Sequence, residues 1–350
     1  MGSEKSVFSK LIRIASISIL IIGSVSGLIF YKLCYAPNVN LNGKDADYLY
    51  IKTGSGYDDV LLLFKANQIL INQGTFDFLA KRKNYPNKVA PGRYKLFKGM
   101  SNMALVDLLR SGKQEPLNVT FNSVRTKEQL VSLIGGKLEV DSVTFLKMLN
   151  DSAFVDSLGF NKNTILCMFI PNTYQFFWTT NARAFIKRMN KEYNSFWNTG
   201  RIAKAKSIGL SPVEVTSLAS IVQEETQMAE DRSLVAGVYM NRLKKNMPLE
   251  ADPTLKFAKG DFAIKRILNE DKKIDSPYNT YMYAGLPPGP INLPSVDYIN
   301  AVLNYTRHDY LFFCAREDLK GYSNFAITYQ EHLVNARKYQ AELNRRNITR

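Results

Sequence analysis

Residues Ser211–Asp252 carry the sequence SPVEVTSLASIVQEETQMAEDRSLVAGVYMNRLKKNMPLEAD, which contains the clearest helix signals in the chain. Ser211 and Glu214 have the spacing of a capping box, and Pro212 suits the first helical position. The pattern therefore predicts a helix from Pro212 to Gln227 whose apolar side faces the core. The apolar side is formed by Val215, Leu218, Ala219, Ile221 and Val222.

Glu225 lies within about 40° of the centre of this apolar side, whereas Gln223 and Glu224 lie more than about 100° away from it. One interpretation of Glu225 is a helix-end residue that reaches solvent or pairs with Arg232 or Arg242. The other is a desolvated carboxylic acid with a raised pKa, as a general acid near neutral pH requires. Glu224 is expected to face solvent.

Three further blocks accompany this helix. AEDRSLVAGVYMNRL forms most of a second predicted helix, from Glu230 to Lys244, which should form a helical hairpin with the first. LEADPT follows at Leu249–Thr254, and SPYNTYMYAGLPPGPI at Ser276–Ile291 is a loop rich in proline and glycine. The order and spacing of these blocks together form a more specific pattern than any short motif.

The four blocks resemble the YceG-like family of endolytic peptidoglycan transglycosylases. In that family the catalytic acid is the Glu that precedes the Thr of an E-x-E-T motif, so the resemblance implies Glu225 as the catalytic residue. The first Glu of the motif is replaced by Gln223 in this chain. This departure indicates that a carboxylate is dispensable at the first position.

The resemblance implies a membrane-anchored enzyme that cleaves the MurNAc–GlcNAc bond within nascent peptidoglycan strands. The products would be 1,6-anhydro-MurNAc ends, and cleavage would terminate glycan elongation. Ordinary glycosidases use two carboxylates, whereas a lytic transglycosylase needs one. Two alternatives stay open: a hydrolytic muramidase with Asp252 as its second carboxylate, and a non-catalytic peptidoglycan-binding scaffold. The expected partners are glycan strands, membrane lipid and peptidoglycan synthases.

Four residues are candidates for substrate binding. Asp252 precedes a proline, so its carboxylate is expected at a loop edge, near the groove or accepting loop amides. Asn279 and Tyr281 lie on the Pro/Gly-rich loop and suit recognition of N-acetyl and hydroxyl groups. Tyr174 ends PNTY, which resembles the family's P-x-T-Y segment, and either lines a sugar groove or packs in the core.

Residues Ile14–Tyr31 contain no charged side chain and nearly span a hydrocarbon core of about 30 Å. The sequence predicts a cytoplasmic tail (1–10) and a single transmembrane helix (11–31). Positive charges before the segment place the amino terminus in the cytoplasm. The catalytic domain would then lie outside the inner (cytoplasmic) membrane, in the periplasm or its equivalent. A cleaved signal peptide is the alternative.

A strand, a turn and a short helix recur weakly in the segment 45–136. The copies are YLYIKTGSGYDDVLLLFKANQIL, RYKLFKGMSNMALVDLLRSG and LNVTFNSVRTKEQLVSLIGG. The segment resembles the family's LysM-like module, which implies either binding of N-acetylglucosamine-containing chains or a packing platform. The remainder, 137–345, is expected to be the catalytic domain, and the predicted fold class is α+β.

The composition excludes several other functions. A formal net charge of +15 suits an anionic surface, but the charge is spread along all 350 residues and no nucleic-acid-binding motif is present. Three cysteines and two histidines lack metal-ligand spacing, so we expect no metal, no cofactor and no disulfide framework.

Overall fold

The computed structural model describes residues 2–122, 124–264 and 266–348. It begins with helix α1 (Gly2–Cys34), and within the part from Phe8 to Cys34 an 18-residue window has a mean hydropathy of 2.1. The large apolar side chains of this part are exposed; Ile19 and Leu20, for example, are 70% and 69% exposed. By length and composition, α1 is therefore capable of crossing a membrane.

The chain forms two compact units, and its mixed helix and strand content confirms the predicted α+β class. The first unit comprises Met1–Leu117 and Gln175–Thr180, and the second comprises Asn118–Tyr174 and Asn181–Arg350. The division after Leu117 differs from the expected domain boundary at residue 136. From Asn118 onward, the third copy of the weak repeat consequently lies in the second unit.

Beyond α1, the described part of the first unit contains β1 (Ala46–Ile51), α2 (Tyr57–Ala66), α3 (Gln73–Arg82), β2 (Gly92–Phe97) and α4 (Asn102–Ser111). The strands pair in antiparallel fashion, with Ala46 opposite Phe97 and Ile51 opposite Gly92. Alternate strand residues point to the core because side chains in a strand alternate between its faces. The core-facing strand residues are Leu49, Ile51, Tyr94 and Leu96.

The second unit is mainly helical. Its first part contains β3 (Leu117–Phe121) except Leu117, α5 (Lys127–Gly135), α6 (Ser142–Asn150), α7 (Ser152–Asp156), the first three residues of β4 (Asn172–Phe176), α8 (Ala182–Phe196) and α9 (Thr199–Ser207). Its second part contains α10 (Pro212–Glu225), α11 (Ala229–Lys244), α12 (Asp252–Lys259), α13 (Val296–Leu303), β5 (Phe312–Ala315), β6 (Ser323–Ala326) and α14 (Tyr329–Arg345). Strands β3 and β4 form one two-stranded sheet, and β5 and β6 form another.

Helix α10 is the centre of the second unit. The predicted capping box is present: Ser211 Oγ accepts from the backbone N–H of Glu214, and the Glu214 carboxylate accepts from that of Ser211. The helix ends at Glu225, two residues earlier than predicted, because Thr226 has an extended backbone conformation (φ −142°, ψ 139°). Three residues then connect it to α11, against which it packs.

The predicted apolar side of α10 is buried, but so are polar residues on its other sides. Gln223, expected to face outward, is 8% exposed and accepts a hydrogen bond from the backbone N–H of Ser295. Ser220 accepts one from the N–H of Ile291. Helix α13 and the loop before it therefore cover the side that a helical wheel assigns to solvent.

Candidate active site

Glu225, a half-buried residue, is the last of α10, and its carboxyl group contacts α11. The hydroxyl of Tyr239 donates a hydrogen bond of 3.0 Å to Glu225 Oε1. Tyr239 is itself 2% exposed and lies in the middle of α11. The short connection between the two helices thus brings an acid and a phenol together across 14 positions of sequence.

Burial raises the pKa of Glu225 from its ordinary value of 4.5 to about 7, because the surrounding protein replaces the water that would solvate the charged form. The Tyr239 hydrogen bond opposes this effect, while the nearby charge of Asp252 adds to it. Lys256 lowers the pKa and Glu224 raises it, each to a smaller extent. A large fraction of Glu225 is therefore protonated near neutral pH.

The two arginines that were alternative partners for Glu225 bind other carboxylates. Arg232 Nη1 lies 3.3 Å from Asp297, and Arg242 Nη1 lies 2.7 Å from Glu250. Arg242 also donates to the carbonyl oxygens of Leu311 and Pro248. The interpretation of Glu225 as the partner of either arginine is therefore wrong.

The prediction that Glu224 faces solvent is also wrong. Arg125 Nη2 lies 2.8 Å from Glu224 Oε1 and 2.7 Å from Oε2, and Asn292 Nδ2 donates to Oε1 at 2.7 Å. The Glu224 side chain is 24% exposed. Sequence analysis missed Arg125 and Asn292, which reach Glu224 across 99 and 68 positions of sequence.

Asp252 is the first residue of α12 and directly follows the loop before that helix. Its carboxylate accepts a hydrogen bond of 2.6 Å from the hydroxyl of Tyr281, not from loop amides. Burial and this hydrogen bond raise the pKa of Tyr281. Because the charges of both Glu225 and Asp252 act on Tyr281, the structure brings three of the predicted site residues together.

Asn279 and Tyr174 occupy buried positions. Asn279 is fully buried, and its Nδ2 donates to the carbonyl oxygens of Lys272 and Ile274. Its Oδ1 accepts from the N–H of Tyr281, so the side chain stabilises the loop that holds Tyr281. Tyr174 is 7% exposed, stacks on Phe121 and donates to the carbonyl of Ile170. These contacts indicate structural roles for both residues.

A small cavity of about 50 Å³ adjoins Glu224. It has both cationic and aromatic walls, which suits a polar ligand with apolar faces. Its lining residues are Arg125, Glu224, Pro253, Lys256, Phe257, Phe262 and Ile291. Lys256 both lines this cavity and lowers the pKa of Glu225, so the cavity lies close to the candidate acid.

Within residues 2–122, 124–264 and 266–348, no cluster of three or more His, Cys, Asp or Glu side chains could hold a metal ion. The two histidines have other contacts. His308 Nε2 lies 3.0 Å from the carbonyl of Leu234, and His332 stacks on Phe312. Cys34, Cys167 and Cys314 are free thiols.

The sequence pattern of the YceG-like family matches residues 49–338. An endolytic murein transglycosylase of Bacillus subtilis (strain 168) is 30% identical over 336 residues, covering 91% of this chain and 92% of that protein. The enzyme of the same name from Streptococcus pneumoniae serotype 2 (strain D39 / NCTC 7466) is 29% identical over 84% of this chain, which spans 58% of that protein's length.

A crystal structure at 2.6 Å of a YceG-like protein from Listeria monocytogenes has the same fold. The TM-score is 0.57 and the identity is 26%, and the match covers 83% of this chain and 99% of that one. Since the family pattern matches most of its length, this chain belongs to the YceG-like family.

Proposed function

We propose that the protein is an endolytic murein transglycosylase that cleaves the MurNAc–GlcNAc bond within peptidoglycan strands, with Glu225 as its acid. The observation that carries the proposal is the Glu225 carboxyl group at the end of α10, which accepts the Tyr239 hydrogen bond and whose pKa burial raises to about 7. The resemblance of the surrounding motif to the family implies the catalytic role of this position. The names of the Bacillus and Streptococcus relatives support the same activity.

In this mechanism, neutral Glu225 donates its proton to the glycosidic oxygen as the bond to the anomeric carbon breaks. The resulting carboxylate then accepts the proton of the sugar's own 6-hydroxyl, and that oxygen bonds to the anomeric carbon. The product is a 1,6-anhydro-MurNAc end, and Glu225 is protonated again. No water enters the product, and one carboxyl group performs both proton transfers.

Product analysis tests this proposal directly. Glycan strands digested in ¹⁸O-labelled water should give unlabelled 1,6-anhydro ends by mass spectrometry. A muramidase that uses Asp252 as its second carboxylate would leave reducing ends that contain the label. A non-catalytic scaffold would leave the strands intact. Either of the last two outcomes would overturn the proposal.

For substrate contacts we propose Asp252 and Tyr281. The charge of Asp252 raises the pKa of Glu225, and the charge of Glu225 raises the pKa of Tyr281, so both residues lie near the acid. Asp252 is exposed and Tyr281 is half-buried. Their mutual hydrogen bond fixes a phenol and a carboxylate beside the acid. Such groups suit the hydroxyl and amide groups of a sugar. We assign Asn279 and Tyr174 to supporting the structure.

We also propose that the first unit contains the family's LysM-like module and contacts glycan. A cavity of about 500 Å³ along β1 supports this role. Amide, phenol and charged side chains line it, among them Asn40, Asn42, Asn67, Tyr48, Tyr50, Lys44 and Asp47. In a Glu225→Gln background, Asn67→Ala with Tyr50→Ala should weaken binding to peptidoglycan sacculi, and unchanged binding would contradict the proposal.

The properties of α1 support a location for the protein. We propose that it is an uncleaved anchor in the cytoplasmic membrane, in contact with lipid, with the rest of the chain outside the cytoplasm. The carbonyl of Leu33 accepts a hydrogen bond from Asn102 Nδ2, which links the end of α1 to α4. Peptidoglycan synthases are the partner class that suits an enzyme acting on nascent strands at a membrane.

A further inference from the structure

We infer that Tyr239 is a positioning residue, which fixes Oε1 of Glu225 and leaves Oε2 as the oxygen that carries the transferred proton. The inference rests on the proposed role of Glu225. It assigns a distinct task to each oxygen of the carboxyl group and to a phenol on a different helix.

The geometry restrains the phenol. The Tyr239 side chain is 2% exposed, and its ring packs edge-on against Phe313, with ring centres 5.9 Å apart and planes at 88°. Such packing limits rotation of the ring. The hydroxyl therefore stays directed at Glu225 Oε1, to which it donates at 3.0 Å.

The phenol keeps its proton throughout the reaction. Burial, followed by the charge of Glu225, raises the pKa of Tyr239 well above its ordinary value. The Tyr239 hydroxyl consequently donates to Oε1 whether Glu225 is neutral or ionised. The proton of neutral Glu225 is therefore carried by Oε2. After transfer, the hydrogen bond strengthens because its acceptor has become charged, and this favours proton donation.

Other groups also face the pair. Asp252 and Lys256 on α12 and Glu224 on α10 act on Glu225, whereas Arg242 and Tyr281 act on Tyr239. Among the hydrogen bonds of the residues that the structure describes, Tyr239 donates to Oε1 and these other side chains do not. Tyr239 is thus the group whose removal should act on one specific oxygen.

The test uses the full-length protein with Tyr239→Phe, which keeps the ring and removes the hydroxyl. Without this donor the carboxylate is less stable, so the pKa of Glu225 should rise. The alkaline limb of kcat/KM should move upward by about one pH unit, because hydrogen bonds to charged groups have roughly that effect. The plateau below that limb should fall, because the carboxyl group is no longer held.

Substitution of 3-fluorotyrosine at position 239 provides a second measurement that preserves shape. Its phenol is more acidic and donates a stronger hydrogen bond, so the alkaline limb should move to lower pH, opposite to the effect of Tyr239→Phe. Tyr298→Phe is the matched control, since the Tyr298 hydroxyl donates to the carbonyl of Thr226 and not to the carboxyl group. It should leave the limb in place.

If the alkaline limb of kcat/KM is unchanged in both Tyr239 variants, the inference is overturned. The same holds if Tyr239→Phe lowers thermal stability but leaves this limb in place. This outcome is distinguishable from failure of the proposed function. In the latter case the wild-type protein itself would give no 1,6-anhydro product, whatever residue stood at position 239.

Discussion

Arg125 and Glu224 form an ion pair across 99 residues of sequence, with Arg125 Nη2 within 2.8 Å of both carboxylate oxygens. The guanidinium carbon also lies 4.9 Å from the ring centre of Phe262, which places the cation over an aromatic face. Because Glu224 is adjacent to Glu225, this pairing neutralises the carboxylate next to the candidate acid. The remaining carboxyl group, Glu225, has no such cation hydrogen-bonded to it among the described residues.

Glu225→Gln should abolish most of the activity while preserving the fold. Glutamine keeps the size of the side chain and accepts the Tyr239 hydrogen bond, but it cannot donate a proton to a glycosidic oxygen. Release of anhydro ends should fall by about a hundredfold or more, the usual scale of general acid catalysis. Glu230→Gln, an exposed position on α11, is the matched control and should retain activity. Near-normal turnover by Glu225→Gln would exclude Glu225 as the acid.

Activity should depend on pH through the protonated fraction of Glu225. Since its pKa is about 7, kcat/KM should decline above about pH 7, by about tenfold per pH unit. A profile of kcat/KM against pH, measured with soluble glycan strands from roughly pH 5 to 9, checks this expectation because the range includes the pKa of Glu225. A limb close to the ordinary glutamate pKa would show that burial does not raise the value.

Folding stability should respond to the same ionisation. Between pH 4.5 and about 7 the unfolded chain releases this proton while the folded chain retains it, so stability should decrease as pH rises. The full effect is about 3 kcal/mol at most. Glu225→Gln lacks this ionisable group. Its free energy of unfolding, measured by denaturant unfolding, should therefore increase relative to that of the wild type as pH rises. Parallel pH profiles of the two proteins would contradict the expectation.

Asp252→Asn should lower the pKa of Glu225, since it removes a negative charge that disfavours ionisation of the acid. The alkaline limb of kcat/KM should therefore shift to lower pH, while anhydro ends remain the product. Complete loss of turnover at every pH would instead indicate that the Asp252 carboxylate is itself required for the chemistry.

The pairing of Arg125 with Glu224 should be measurable as a coupling energy. Their side chains are 31% and 24% exposed, so we expect about 1 kcal/mol from a double-mutant cycle with Arg125→Met and Glu224→Gln. The surface pair Arg188 and Glu192 is a suitable comparison and should give about 0.3–0.5 kcal/mol. Equal coupling energies in the two cycles would show that partial burial does not strengthen the Arg125–Glu224 pair.

Topology follows from the charges around the apolar segment. A reporter that fluoresces only in the cytoplasm, fused after Arg350, should be inactive, and one that is active only outside should function. Lys5, Lys10 and Arg13 precede the uncharged stretch on its amino-terminal side. Reversal of the two signals would place the second unit in the cytoplasm and separate it from its proposed substrate.

The sequence by itself determined the elements that depend on neighbouring residues. The Ser211 and Glu214 capping box fixes the start of α10, and Thr328 and Glu331 do the same for α14. Helical periodicity placed Glu225 on the core side of its helix. These features are local, since capping bonds and helical faces depend on residues three or four positions apart.

Only the tertiary structure decided what surrounds each side chain. The wheel assigned Gln223 and Glu224 to solvent, but residues 68 to 99 positions away cover that side of α10 and satisfy both groups. Asn279 had the chemistry of a sugar ligand, and its burial in the loop makes it a structural residue. Hydrogen bonds between distant segments are formed by packing, which no local pattern encodes, and the same packing raises the pKa of Glu225.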